Sequence, residues 1–354
     1  MSRAINHFSI TRINSVELRV VSDVREGALQ VIQAEESVIQ AYTRSAPWPH
    51  QWITLFILED LQPLLRQFNQ EGILNIFPFP GKNISTAELT TLSQRPVINI
   101  YDLADLSTCN IFVNQQEMMV QHYWEDPQAI RGLLAHEHAH PLAENEMTKT
   151  SRQINFHVSG GEFSTPQKKG VRLVKITQVL DSLGEKLSLL ASREILTNEM
   201  AIRYQFSEDL LHLNIRNMEN TSISISDRAP LVQHLLHEVT QGDLTEKEMD
   251  LIILVGDLNS ILPLALEIAP FYRAGKPEEG QILEQILESK VFPFLDPLAV
   301  QCFTQLRDHY ISLPSGDQSV SNIVKWYDRV ILILNDHLMV KDFSLKYVME
   351  LTEK

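Results

Sequence analysis

Cysteine is scarce in this sequence: only Cys109 and Cys302 occur in a chain of 354 residues. They stand far apart and outside any CxxC pattern, which excludes a disulfide framework and a cysteine-rich zinc site and fits a reducing compartment. Basic residues are in deficit, 30 Lys and Arg against 45 Asp and Glu, giving a formal charge of −15. Phosphate recognition needs a clustered Lys/Arg surface and none stands out, so neither nucleic acid nor an anionic membrane is an expected partner. The opening MSRAINHFSITRINS lacks the apolar run of a secretory signal, and export by that route is not expected. The longest greasy segment, from Asp250 to Tyr272, is interrupted by Asp257, Asn259, Pro263 and Glu267, whereas a membrane span needs about 20 mostly apolar residues. It reads as a buried helix, and the chain as a cytoplasmic protein. No GxxxxGK[ST] frame surrounds the Gly160–Gly161 pair, which excludes a phosphate loop, and no GxSxG elbow of a serine hydrolase occurs. Internal repeats and low-complexity tracts are absent as well.

What is present is a chain with 44% hydrophobic residues, enough to bury a sizeable core and long enough for two domains. Before about residue 125, short β-rich runs (SVELRVV, ILNIF, PVINIY, NIFV) alternate with helical stretches. After residue 165 nearly everything carries helical spacing, and TEKEMD places Thr245 and Glu248 as a capping box. The expected fold is α+β, with a small β-sheet packed on helices and a mostly α-helical C-terminal region. A boundary near 215–225 divides residues 1–220 from an all-helical 221–354.

The informative stretch is LLAHEHAHPLAENE, residues 133–146. Asp126 is placed to cap a helix with Pro127 at its first position, and the helix is expected over 126–140 with Pro141 ending or kinking it. At 100° per residue His136 and His140 lie about 40° apart on one face, so two imidazoles from one turn can reach a single ion. Glu137, at the edge of that face, can take a proton from a metal-activated water, which is the physical content of H-E-x-x-H. His138 lies roughly 160° to 200° away and reads as a packed or surface histidine. Glu144 and Glu146, beyond the proline, read as solvated loop acids, and His234 and His237, three apart, as a helix face.

At these residues the sequence resembles the zincin metallopeptidases, and more narrowly the gluzincins, over roughly residues 95 to 205. The resemblance implies a zincin-like domain, catalytic Zn²⁺, and a glutamate on a later helix, here within 184–206, as third ligand beside an open position for water. SREILTNEMAIR offers two. Glu194, followed by Thr197, Asn198 and Ala201, is similar to the E-x-x-A-[DN]-x-x-A pattern of ImmA-type intracellular peptidases; Glu199 makes the Asn-Glu pair of thermolysin-like enzymes. The two are about 140° apart on a helix, so one faces the metal. Glu194 is preferred, with Glu199 as the alternative, because Asn198 then lies one turn on and can hold a ligand histidine, where the Glu199 alternative puts Arg203.

The implied activity is peptide-bond hydrolysis: Zn²⁺ on His136, His140 and Glu194, Glu137 as general base, and a peptide or protein as substrate. Asn110–Val113 is the candidate edge strand for aligning an extended substrate. His157 is a candidate third ligand or donor to the oxyanion, and Tyr204 and His212 are weaker candidates for the donor role; a lone histidine beside the Gly-rich turn also reads as structural. Two other readings stay open: a non-catalytic binding or regulatory protein on a zincin scaffold, and a helical interaction protein with an accidental motif. The sequence sets neither substrate preference nor oligomeric state.

Overall fold

A computed structural model describes residues 5–45, 48–71, 86–151, 154–160, 171–188, 190–314, 320–340 and 347–353. The expected strand ILNIF lies outside these residues, as does Gly161. The chain divides into two compact units, Met1–Asn145 with Met200–Leu213, and Glu146–Glu199 with Asn214–Lys354. This differs from a single cut near residue 220, where a helix runs unbroken over Ser207–Ser226.

The first unit is mixed α and β. In chain order it contains β1 (His7–Ile13), β2 (Val16–Ser22), α1 (Ala28–Ser45), β3 (Trp52–Leu58), α2 (Gln62–Gln70), α3 (Thr86–Ser93), β4 (Val97–Asp102), β5 (Asp105–Asn114), α4 (Gln115–Val120) and α5 (Pro127–Ser151), the last running on into the second unit. The strands form one sheet in the order β1-β2-β3-β5-β4. β2, β3 and β5 run parallel, while β1 and β4 flank them antiparallel. The tight β1–β2 turn puts Asn14 at φ 54°, a left-handed position that asparagine tolerates better than most residues. Alternation sorts the side chains: Phe56, Leu58, Ile98, Ile100 and Phe112 join Leu61 at the N-cap of α2, Leu65 of α2, and Leu89 and Leu92 of α3 on one face. Cys109 and Asn99, at odd positions of the same strands, face the other way, toward α1 and α5. β5, expected at the edge through Asn110–Val113, is instead interior between β3 and β4. The correction follows from strand order, a non-local property on which a β-rich run carries no information.

α5 starts as its sequence dictates. The Asp126 carboxylate accepts from the Ala129 amide at 3.1 Å, and Pro127 opens the helix. It does not end at Pro141; the helix continues to Ser151 with the proline inside it. Proline removes one i→i−4 donor, and the carbonyl left without it is that of Glu137. Asn99 on β4 supplies the replacement, its Nδ2 donating to the Glu137 carbonyl at 2.9 Å. Tyr42 of α1 holds the preceding turn, its hydroxyl donating to the Ala135 carbonyl at 2.7 Å, with the Trp48 ring stacked on it at 4.7 Å. Asn99→Ala strands a buried carbonyl inside the motif, and urea unfolding is expected to show a loss of about 1–3 kcal/mol; no loss means that solvent or a relaxed helix satisfies that carbonyl.

Gly132 lets α5 approach the chain at Asp209 closely: a Cβ there meets the Asp209 carbonyl oxygen at 2.8 Å and Leu213 Cβ at 3.3 Å. Gly132→Ala is expected to cost about 1–3 kcal/mol by overpacking against backbone. A thermal unfolding midpoint at or above wild type contradicts that contact.

Among the described residues the second unit is helical apart from two strands. After β6 (Ile154–Gly160) come α6 (Val171–Ser188), α7 (Ala191–Ala201, whose last residues pass into the first unit), α8 (Ser207–Ser226, whose residues up to Leu213 belong to the first unit), α9 (Ala229–Gln241), α10 (Glu246–Ile261), α11 (Ala265–Arg273), α12 (Pro277–Lys290), α13 (Pro297–Ile311), α14 (Val320–Val340) and β7 (Tyr347–Glu353). β7 pairs antiparallel with β6 and is the exception to the helical C-terminal region. The expected capping box forms: Thr245 Oγ1 accepts from the Glu248 amide at 3.2 Å while Glu248 accepts from the Thr245 amide at 2.8 Å. Thr245→Ala should therefore lower stability by about 1 kcal/mol, read as a shift in the urea midpoint at unchanged m-value.

The greasy stretch forms α10 and α11, joined by a 3₁₀ turn at Leu262–Leu264 that contains Pro263. Glu246–Arg273 is long and apolar enough to cross a membrane, yet its most apolar window is 61% buried within the protein. Asp257, buried in α10, pairs with Arg228 and accepts from the Asp296 amide at 2.8 Å, as a charge inside a protein core requires. Burial raises its carboxyl above the usual range, and the Asp296 amide and the Arg228 guanidinium oppose that rise.

Candidate metal centre

α5 presents three histidines in five residues, and the 3.6-residue turn divides them between two faces. His136 and His140 pack edge to face with ring centroids 4.6 Å apart, and one ring nitrogen of each lies within 4.8 Å of the other. His136 and Glu137 are half-buried, and His140 is buried. The face is thus partly open at its N-terminal end, where Glu137 stands beside His136. His138 points the opposite way, as expected of a packed residue. It is fully buried, and its Nε2–H donates to Glu35 Oε1 of α1 at 2.7 Å.

Glu144 corrects the reading beyond the proline. Because α5 continues, Glu144 follows His140 by one turn on the same side of the helix and is 4% exposed, not a solvated loop acid. The Glu146 side chain lies outside the described residues.

Glu194 and Glu199 both sit on α7, and contacts within the second unit separate them. Glu199 is buried and committed: Arg273 Nε donates to its Oε2 at 2.7 Å, and the same guanidinium donates to the Ile311 carbonyl at 3.2 Å and to the Leu313 carbonyl. A carboxylate closed by a buried guanidinium in this way braces α7 against α11. Glu194 is half-buried in the first turn of α7 and has Arg193 at 3.9 Å. Asn198, expected to support a ligand histidine, directs its amide to the Leu266 carbonyl at 3.4 Å.

The candidate oxyanion donors fare differently. His212 is engaged with the N-cap of α5, its Nε2 lying 2.7 Å from Asp126 Oδ2, which makes it a brace for the motif helix. Tyr204 is half-buried, its ring 5.2 Å from that of Tyr42. It lies in a five-residue π-helical segment, Ile202–Phe206, where the helix is interrupted by Gln205 at φ 76°. His157 is on β6, with its side chain outside the described residues. His234 lies exposed on α9, 3.3 Å from Glu238 one turn on, an ordinary helix face.

A second group went unnoticed in the sequence. His50, Cys109 and His138 are all buried, and a ring nitrogen of each histidine and the Cys109 Sγ lie within 4.8 Å of one another. They come from the end of a loop, from β5 and from α5, so no spacing rule could have found them. Burial, with help from the neighbouring His138, pulls His50 down to about 4, and its ring is neutral near pH 7. Burial likewise pushes the Cys109 thiol well above its ordinary range, followed by the charge of Glu35.

No protein-family model, curated protein or solved structure matches this chain.

Proposed function

We propose that the protein is a zinc-dependent metallopeptidase of zincin-like fold that acts on peptide or protein substrates in the cytoplasm. The observation that carries this reading is the His136–His140 pair, rings 4.6 Å apart on a capped helix with Glu137 between them in sequence. Two imidazoles and a carboxylate fit zinc by donor chemistry. His136 and His140 would hold the ion, with Glu194 as third ligand, supported by its pattern with Thr197 and Asn198 and by the engagement of Glu199 with Arg273. When bound, zinc polarises the scissile carbonyl and lowers the pKa of water. Glu137 is the general base: it takes the proton of the attacking water and passes it to the leaving amine. β4, which ends the sheet and whose Asn99 touches the Glu137 carbonyl, is the strand proposed to align an extended substrate by backbone pairing, in place of β5. Both cysteines are free and buried, in keeping with a reducing compartment.

Elemental analysis of protein purified without added metal tests the reading at its base. About one zinc per chain is expected at this centre, lost in His136→Ala. A zinc content undiminished in both His136→Ala and His140→Ala overturns it, and zinc bound at these histidines without any peptide turnover leaves a non-catalytic binding protein on the same scaffold.

A further inference from the structure

The first unit buries a set of polar atoms without a hydrogen-bond partner among the described residues, and they converge behind the HExxH helix. His138 Nε2–H is fixed by the Glu35 carboxylate at 2.7 Å, so the nitrogen with a lone pair to offer is Nδ1. That nitrogen is buried without a hydrogen-bond partner among the described residues. His50 is arranged in the mirror sense: its Nδ1–H donates to the Leu106 carbonyl at 2.5 Å, and its buried Nε2 has no partner among the described residues. Both rings are at least 99% buried. Each therefore carries the second-nitrogen support, carboxylate or backbone carbonyl, that sets the tautomer of a metal-ligating histidine. Between them in the group stands Cys109, fully buried, with its thiol on Asn99 Oδ1 at 3.1 Å. Two such nitrogens stranded in the interior are a desolvation cost that a native fold seldom leaves unrelieved.

We propose that His50 Nε2, His138 Nδ1 and Cys109 Sγ form a second metal site, structural in role and selective for a borderline-soft divalent ion, zinc. An N₂S donor set suits zinc and not magnesium or calcium, which take oxygen ligands. By zinc bond lengths two nitrogens and a sulfur around a tetrahedral ion stand roughly 3.3 to 3.6 Å apart; the Cys109 Sγ and a ring nitrogen of each histidine already lie within 4.8 Å of one another, so a closure of at most roughly 1.5 Å completes the group. Binding replaces the thiol proton by the metal and releases that proton to solvent. The thiolate and the Glu35 carboxylate then offset the two charges of the ion, so the occupied site carries no net charge. The location gives the site its consequence. His138 is the residue after Glu137, and Asn99 joins the two centres, accepting from Cys109 and donating to the Glu137 carbonyl. An ion here ties α5 to β5 and to the loop carrying His50, and holds the helix that presents His136 and His140.

Cobalt(II) titration of the metal-stripped full-length protein reads this site apart from the first, because only this one contains sulfur. A saturable thiolate-to-cobalt charge-transfer band in the near ultraviolet is expected in wild type and in His136→Ala, whose first centre is disabled. The band is expected to vanish in Cys109→Ser, with the bound cobalt falling by about one ion per chain. Absence of the band in wild type overturns the proposal whatever the variants do, and is the result expected of a water-filled cavity. Survival of the band in Cys109→Ser overturns it too, since the sulfur is then Cys302. If the band is present but peptides are not cleaved, the peptidase reading fails and this site stands.

Discussion

Peptide hydrolysis by Glu137→Gln is expected to fall about 10²- to 10⁴-fold, the usual contribution of a positioned general base, while its zinc content stays at the wild-type level. The amide is nearly isosteric with the carboxylate and leaves the helix intact, since the contact holding this residue in α5 is made by its backbone carbonyl to Asn99. The separation of activity from metal content is the point of the experiment. A quenched-fluorescence peptide library gives the rate and elemental analysis gives the zinc. Unchanged turnover removes Glu137 from the mechanism. Loss of zinc together with activity shifts Glu137 from base to ligand.

The second large effect contrasts two glutamates five residues apart on α7. Glu194→Ala is expected to weaken zinc binding by more than the roughly 10- to 100-fold typical of losing an outer-shell partner, with little change in stability. Glu199→Ala is expected to do the reverse. It leaves the Arg273 guanidinium, 5% exposed, without its carboxylate, which costs about 3–5 kcal/mol of stability, while the folded fraction binds zinc as wild type does. Zinc affinity by competition with a chromophoric chelator and stability by urea denaturation separate the two. If Glu199→Ala alone releases the metal, the ligand assignment is reversed.

The features legible in the sequence were those set by short-range geometry. The N-cap at Asp126, the Thr245–Glu248 box and the common face of His136 and His140 depend on offsets of three or four residues, which a helix turns into contacts wherever it forms. The alternating strands β2, β4 and β5 were legible for the same reason. What was missed depends on partners distant in sequence. Pro141 ends a helix only if the freed carbonyl has no other donor, and here the donor comes from Asn99, 38 residues away. Once the helix continues, Glu144 becomes a buried residue on the histidine side. β5 is interior because β4 folds back beside it, and β7 exists because β6 offers it an edge. The engagement of Glu199 depends on Arg273, and the buried group of His50, Cys109 and His138 on a crossing of loop, strand and helix. Neither leaves a mark in local periodicity.

The most direct test is an anomalous difference map from crystals grown with excess zinc and measured at the zinc absorption edge. The account predicts a peak about 2.0–2.1 Å from one ring nitrogen each of His136 and His140, with the Glu194 carboxylate as the next protein ligand. A map without density between those two rings, with both imidazoles turned to other partners, contradicts it.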